Sequence, residues 1–189
     1  MPRGWSHVGL STLDLDATRA FYEDVLGFKA VRCDIIEFEE GGRIRHVFFD
    51  TGGGELIAFM EPRGVPGLPL EYDAGINRGL GVPDAFYHFA FEVDSLEALE
   101  ARRAALIAKG VKVTPVVDHE WMKSIYFKDP NGVSLEYCCM VRDLGADDAV
   151  MQERGAIPRA ALELTNKTSA QVSRVQSTRA TPSSGKPAM

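Results

Sequence analysis

Ser124-Ile125-Tyr126-Phe127-Lys128-Asp129-Pro130-Asn131-Gly132-Val133-Ser134-Leu135-Glu136 reads as strand, turn, strand. Aromatic and β-branched residues fill the flanks. Between them, proline presets one backbone angle and Asn or Gly accepts positive φ, so Asp129-Pro130-Asn131-Gly132 reverses the chain. The first half holds a related stretch: Phe48-Phe49-Asp50, a glycine-rich turn through Gly54, then Glu55-Leu56-Ile57-Ala58. Aligning Gly54 with Gly132 sets Ala58 opposite Glu136.

Outward from that pair of hairpins the repeat widens. His7-Val8-Gly9-Leu10 opens a strand-like run followed by an amphipathic stretch ending at Gly27-Phe28. His88-Phe89-Ala90-Phe91 opens another, whose amphipathic stretch ends at Gly110-Val111. Ala17, Ala20, Phe21 and Val25 recur at a helical period over residues 14–26, with Asp14 and Asp16 at the favourable end and Gly27 as the stop. Ser95 as N-cap, then Leu96, Leu99, Leu106 and Ile107, predict a second helix over residues 95–109 that stops at Gly110. Strand patterns follow each helix, over residues 30–37, 44–49 and 55–61 and over residues 111–116, 122–127 and 133–140.

Each half therefore reads β-α-β-β-β, and a repeat of this scale sets the architecture. The expectation is an α+β protein of two βαβββ modules forming a cupped, mostly antiparallel sheet. Residues 1–62 form the first module, 63–84 a connection rich in Pro and Gly, 85–141 the second module, 142–164 a helical extension and 165–189 a disordered tail. The connection carries Leu68, Leu70 and Tyr72, which either cover a pocket or simply pack onto the sheet.

The 189 residues, 45% of them hydrophobic, suffice for a buried core. A formal net charge of −6 gives no basic face for displacing counterions from nucleic acid, so small molecules are the expected partners. Cys33 and the adjacent Cys138-Cys139 form neither a disulfide framework nor a zinc spacing, which fits a reducing cytoplasm. The opening Met1-Pro2-Arg3-Gly4-Trp5-Ser6 has no apolar leader, and no run is apolar enough to span a membrane; neither secretion nor membrane insertion is expected.

His7 and His88 open their strands at equivalent places, and Glu136 lies on the last strand of its unit. Two imidazoles and one carboxylate on one face of a metal leave other positions open, as in non-haem Fe(II) oxygenases. Taken singly, each residue also has an ordinary structural explanation; their joint placement at repeat-defined positions is what points to a metal. A pseudo-twofold between the units is expected to gather them.

The doubled unit, the matched histidines, Phe21-Tyr22, Leu26-Gly27-Phe28 and the block from Ser124 to Glu136 together resemble the vicinal oxygen chelate superfamily, over about residues 5–140. That superfamily includes glyoxalase I, extradiol dioxygenases, fosfomycin thiol transferases and metal-free bleomycin-resistance binders. The resemblance implies a divalent metal on His7, His88 and Glu136, Fe(II) foremost, with Mn(II), Zn(II), Ni(II) or Co(II) as alternatives. It implies a substrate that chelates through vicinal oxygens, and a homodimer.

Glyoxalase I normally has a glutamate where this chain has Ala58, so that activity is disfavoured; Glu55 and Glu61 face away from Ala58 on a regular strand. Fosfomycin thiol transferases tend to have threonine where this chain has Gly9. Extradiol dioxygenases match the ligand set and carry a tyrosine ten residues before the glutamate, as Tyr126 precedes Glu136. They also use a pocket histidine as acid–base group, for which His119 and His46 are the candidates, although neither matches the family spacing and the usual further pair of modules is absent. The resulting expectation is an Fe(II)-dependent dioxygenase acting on a catechol-like aromatic. Beside it stand a glyoxalase-like lyase, isomerase or thiol transferase using the same metal site, and a non-catalytic binding protein. Asp129, Pro130 and Gly132 read as turn formers, and Phe21 and Tyr22 as core.

Overall fold

Two short side chains start the principal helices. Asp14 accepts a hydrogen bond from the Ala17 N–H at 2.9 Å and Ser95 accepts one from Ala98 at 3.2 Å, satisfying amides that have no partner inside a helix. In the computed structural model, which describes residues 4–69 and 71–151, these caps begin α1 (Leu15–Ala20) and α3 (Leu96–Ala108). A π-helical turn, Phe21–Val25, continues α1 and closes when the Leu26 N–H reaches the Phe21 carbonyl. Gly27, at φ +78°, and Gly110, at φ +81°, then turn the chain out, a conformation that costs a glycine little.

The first module is completed by β1 (His7–Ser11), β2 (Lys29–Glu37), β3 (Arg43–Gly52) and β4 (Glu55–Arg63). The second contains β5 (His88–Glu92), β6 (Val117–Asp118), β7 (Met122–Lys128) and β8 (Ser134–Met140). Between the modules lies α2 (Ile76–Leu80), and a 3₁₀ turn, Ala146–Ala149, follows the second. The strands divide into two four-stranded sheets, ordered β1-β4-β3-β2 and β5-β8-β7-β6. In each, the outer pair β1·β4 or β5·β8 is parallel and the other pairs are antiparallel.

The register reproduces the repeat. Gly9 and Phe48 flank Ala58 in the first sheet, and Ala90 and Tyr126 flank Glu136 in the second. Directly opposed residues share a face, and so do residues two apart along a strand. His88, Ala90, Glu136 and Tyr126 thus lie on one face of the second sheet; His7, Gly9, Ala58 and Phe48 occupy the equivalent positions of the first.

One strand expected from the sequence is missing. Residues 111–116 stay irregular, and β6 is only Val117–Asp118. Pro115 has no N–H to give a ladder, the Thr114 carbonyl is taken by Arg103 Nε at 2.7 Å, and the Tyr126 N–H bonds the Thr114 hydroxyl at 3.0 Å. Side chains thus occupy groups that a regular pair would use.

The opposite faces of both sheets share one apolar core, with Tyr22, Phe49 and Phe59 from the first module and Leu99, Leu106, Phe127 and Leu135 from the second. The Tyr22 ring centroid lies 4.8 Å from that of Phe59, and Phe28 meets Phe91 across the module boundary at 5.1 Å. The apolar stripe of α3 is narrower than its sequence pattern, since Ile107 is 46% exposed. A polar knot reinforces the join. Asn131 accepts from Thr12 Oγ1 at 2.7 Å and donates to Thr18 Oγ1 at 3.1 Å, while the Tyr22 hydroxyl reaches Asp129 Oδ2 at 3.4 Å.

Within the connection, Arg78 of α2 holds Asp73 and the Asn131 carbonyl, tying α2 to the β7–β8 turn. Tyr72 and Arg78 line a cavity of about 600 Å³ with Leu13 and Pro130, while Leu68 is exposed. Leu70 lies outside the described residues. So do residues 152–164 of the expected helical extension and the whole expected tail, 165–189.

Glu61, fully buried on β4, accepts from the Leu15 N–H at 3.1 Å and from Arg45 and Arg63. Burial alone would raise its pKa, but these hydrogen bonds outweigh it and hold the carboxyl at about 2, against an ordinary 4.5. Because the folded value is depressed, the stabilisation is complete above pH 4.5 and is lost as pH falls towards 2. Urea unfolding across this range should show stability falling with acid. Glu61→Gln should cost about 3 kcal/mol at pH 7 and flatten that slope; an unchanged slope would mean that other carboxylates govern it.

Candidate active site

β5 and β8 run side by side, and this brings His88 to Glu136. Nε2 of His88 lies 2.9 Å from Oε2 of Glu136. The Glu136 carboxylate is 1% exposed, and its other oxygen, Oε1, is buried without a hydrogen bond. On the far side of the ring, Nδ1 is 3.0 Å from the Ala85 carbonyl. A carbonyl only accepts, so Nδ1 carries the hydrogen and Nε2 is the atom presented to Glu136. The hydrogen bond to Glu136 raises the His88 pKa above its ordinary value, against the opposing effect of burial.

The Tyr126 ring stands edge-on to His88, with centroids 6.0 Å apart. Burial, followed by the nearby Glu136 carboxylate, pushes its hydroxyl up to about 12, so it remains protonated at neutral pH. That hydroxyl is 2.9 Å from Nε2 of His119, with either partner able to supply the hydrogen. His119 sits at the β6–β7 turn, where its N–H bonds the Met122 carbonyl at 2.8 Å and the next residue, Glu120, takes φ +71°. The Asp118 carboxylate accepts the Glu120 N–H at 2.8 Å and stabilises this left-handed residue.

His7 and His46 lie elsewhere. Both contact Phe48, with centroids 5.5 and 4.3 Å away, on the first sheet. Burial lowers the His46 pKa. Within one chain, therefore, His88, Glu136, Tyr126 and His119 come together and His7 and His46 stay apart from them. Among the described residues no group of three or more His, Cys, Asp or Glu side chains is positioned to hold a metal. Glu61 is no substitute ligand, being committed to its arginines, and Ala58 supplies no donor. The buried carboxylate with a free oxygen beside an imidazole nitrogen does suit a divalent cation, as two of its ligands.

The sequence reading missed Asn77. It lies in α2, 1% exposed, and bonds the backbone just before His88. A single asparagine in a loop rich in Gly and Pro carries no motif, and only the packed chain shows what it holds.

The family model of the Glyoxalase/Bleomycin resistance protein/Dioxygenase superfamily matches residues 4–137. The chain belongs to this superfamily. No curated protein sequence matches the chain. Among solved structures, an integron cassette protein from the mobile metagenome of Halifax Harbour Sewage Outfall is 25% identical, with TM-score 0.53, covering 74% of this chain and all of its own. FosX, a fosfomycin resistance protein from Listeria monocytogenes, solved with Mn(II) and 1S,2S-dihydroxypropylphosphonic acid, is 23% identical with TM-score 0.50, over 72% of this chain and 92% of its own. TnmS3, an antibiotic-binding protein from Streptomyces sp. CB03234, is 16% identical with TM-score 0.50, over 74% and 97%. At these identities the last two share the fold alone. No helix among the described residues is long and apolar enough to cross a membrane.

A carbon-13 tyrosine NMR titration should leave the Tyr126 ring signal unshifted to pH 10.5, well below its titration near 12. Glu136→Gln should move that titration downward by removing the neighbouring charge; an unchanged midpoint would show that burial alone sets it.

Proposed function

We propose that this superfamily member is a divalent-metal enzyme in which His88, Glu136 and His7 hold the metal, Fe(II) in preference to Mn(II), Zn(II), Ni(II) or Co(II). The preferred reaction is extradiol cleavage of a catechol-like aromatic bearing vicinal oxygens. The observation that carries it is the half-exposed His88 against the buried Glu136, with one carboxylate oxygen free, directly beside the Tyr126–His119 pair.

Bound Fe(II) would supply electron exchange between a chelated substrate and O2. The protein's own residues bind and move protons. The Tyr126 hydroxyl, protonated at neutral pH, donates to a substrate oxygen and fixes its orientation. As a substrate hydroxyl ionises, its proton passes to the Tyr126 oxygen while the Tyr126 hydrogen moves to His119 Nε2, and the reverse shift returns a proton to the product. The hydrogen bond to Tyr126 favours His119 over His46, which meets Phe48 instead.

His7 is to come from a second copy of the chain, because one copy keeps it on the other sheet. Val31, Ile35 and Ile36, exposed along β2, give such a homodimer apolar surface to bury. His7→Ala and His88→Ala should each abolish stoichiometric metal binding, and refolding the two together should restore part of it. If the mixture binds no metal, His7 is not donated between chains.

Oxygen uptake by anaerobically prepared, Fe(II)-loaded protein on a panel of catechols tests the reaction. Uptake with ring-opened product, lost in His88→Ala, is expected. Stoichiometric metal without uptake would move the assignment to an oxygen-independent lyase, isomerase or thiol transferase at the same centre. Failure to bind metal would leave a non-catalytic binder of small molecules.

A further inference from the structure

The strands carrying His88 and Glu136 meet at Asn77, a residue of the connection between the modules. Its Oδ1 accepts the Tyr87 N–H at 2.9 Å, which fixes the orientation of the amide, since only oxygen can accept. The two hydrogens of Nδ2 are shared among the Tyr87 carbonyl at 2.6 Å, the Asp84 carbonyl at 2.8 Å and Ser134 Oγ at 3.3 Å. Tyr87 immediately precedes His88, and Ser134 pairs with His88 in register and lies two residues before Glu136. One buried amide therefore grips both strands beside the pair.

The grip extends to the ring itself. Asp84 and Tyr87 bracket Ala85, whose carbonyl accepts the His88 Nδ1 hydrogen. The same loop is anchored at Asp84 by Lys128 of β7, 2.7 Å away. A carbonyl fixed in this way holds a hydrogen on Nδ1 and aims Nε2 at Glu136, where a bound metal would take the place of the Nε2 hydrogen. From the free side, α2 is secured by Arg78, through Asp73 and the Asn131 carbonyl, so the amide has a rigid base.

We infer that Asn77 is a positioning residue of the His88–Glu136 centre: it fixes the Asp84–Tyr87 loop so that the Ala85 carbonyl orients His88 for metal binding. This rests on the proposed metal role of the pair, and the test separates the two. Mn(II) affinity, measured by electron paramagnetic resonance, and the hydrogen-bonded Nδ1–H signal of His88, measured by proton–nitrogen-15 NMR of the metal-free protein, are compared in the wild type, Asn77→Ala and Thr12→Ala. Thr12 is equally buried but belongs to the knot between modules, so it controls for lost stability. Asn77→Ala should weaken Mn(II) binding about 10- to 100-fold and shift and broaden the His88 Nδ1–H signal, while Thr12→Ala leaves both near wild type. If the wild type binds no Mn(II), the metal assignment falls and the Nδ1–H signal alone judges the role of Asn77. A wild-type Nδ1–H signal in Asn77→Ala, or changes no larger than those of Thr12→Ala, would overturn the inference.

Discussion

The turn Asp129-Pro130-Asn131-Gly132 holds this molecule together. Asn131 bonds two threonines of the first module, Asp129 bonds Tyr22 at the centre of the aromatic core, and the Asn131 carbonyl takes Arg78 from the connection. The threonines, Tyr22, Asp129 and Asn131 are buried, and a buried polar group without a partner is costly, so the modules have few ways to pack that satisfy all of them. The Phe28–Phe91 contact and the shared apolar core contribute most of the attraction; the knot selects one arrangement. That arrangement puts the core between the modules and leaves the histidine-bearing faces of both sheets outside it.

The two modules keep one backbone and divide the chemistry. Ala58 and Phe48 stand where Glu136 and Tyr126 stand in the other copy, as the register of the strands shows. The first face retains His7 but has lost the carboxylate and the hydroxyl. The second has both, and adds His119 on a turn held by a left-handed Glu120. The connection serves this second face as well, because α2 lies against its turn and its strand entrances. A segment that looks like a plain crossover is therefore hydrogen-bonded to the strands that carry His88 and Glu136.

Much of this was legible because periodicity and caps are local. Asp14, Ser95, Gly27 and Gly110 mark where the helices begin and stop, and backbone sterics make those choices independent of the rest of the chain. His88 and Glu136 could be singled out, since the repeat sets each at a defined position, but only the structure shows their strands side by side. Residues 111–116 misled, because Pro115 and the Thr114 hydroxyl compete for the ladder with an apolar pattern that looks like a strand. Ile107 misled in the same way: it continues a helical stripe that the sheet is too narrow to cover.

By itself, the sequence determined the elements, the doubled βαβββ unit and the residue types able to bind a cation, because these depend on spacing along one chain. Tertiary structure decided which of those residues share a space. His7 faces Phe48 rather than Glu136, His119 rather than His46 reaches Tyr126, and Asn77 grips two strands at once. Each of these outcomes turns on how the modules pack, through contacts between residues far apart in sequence, and such contacts leave no periodic trace in the order of amino acids.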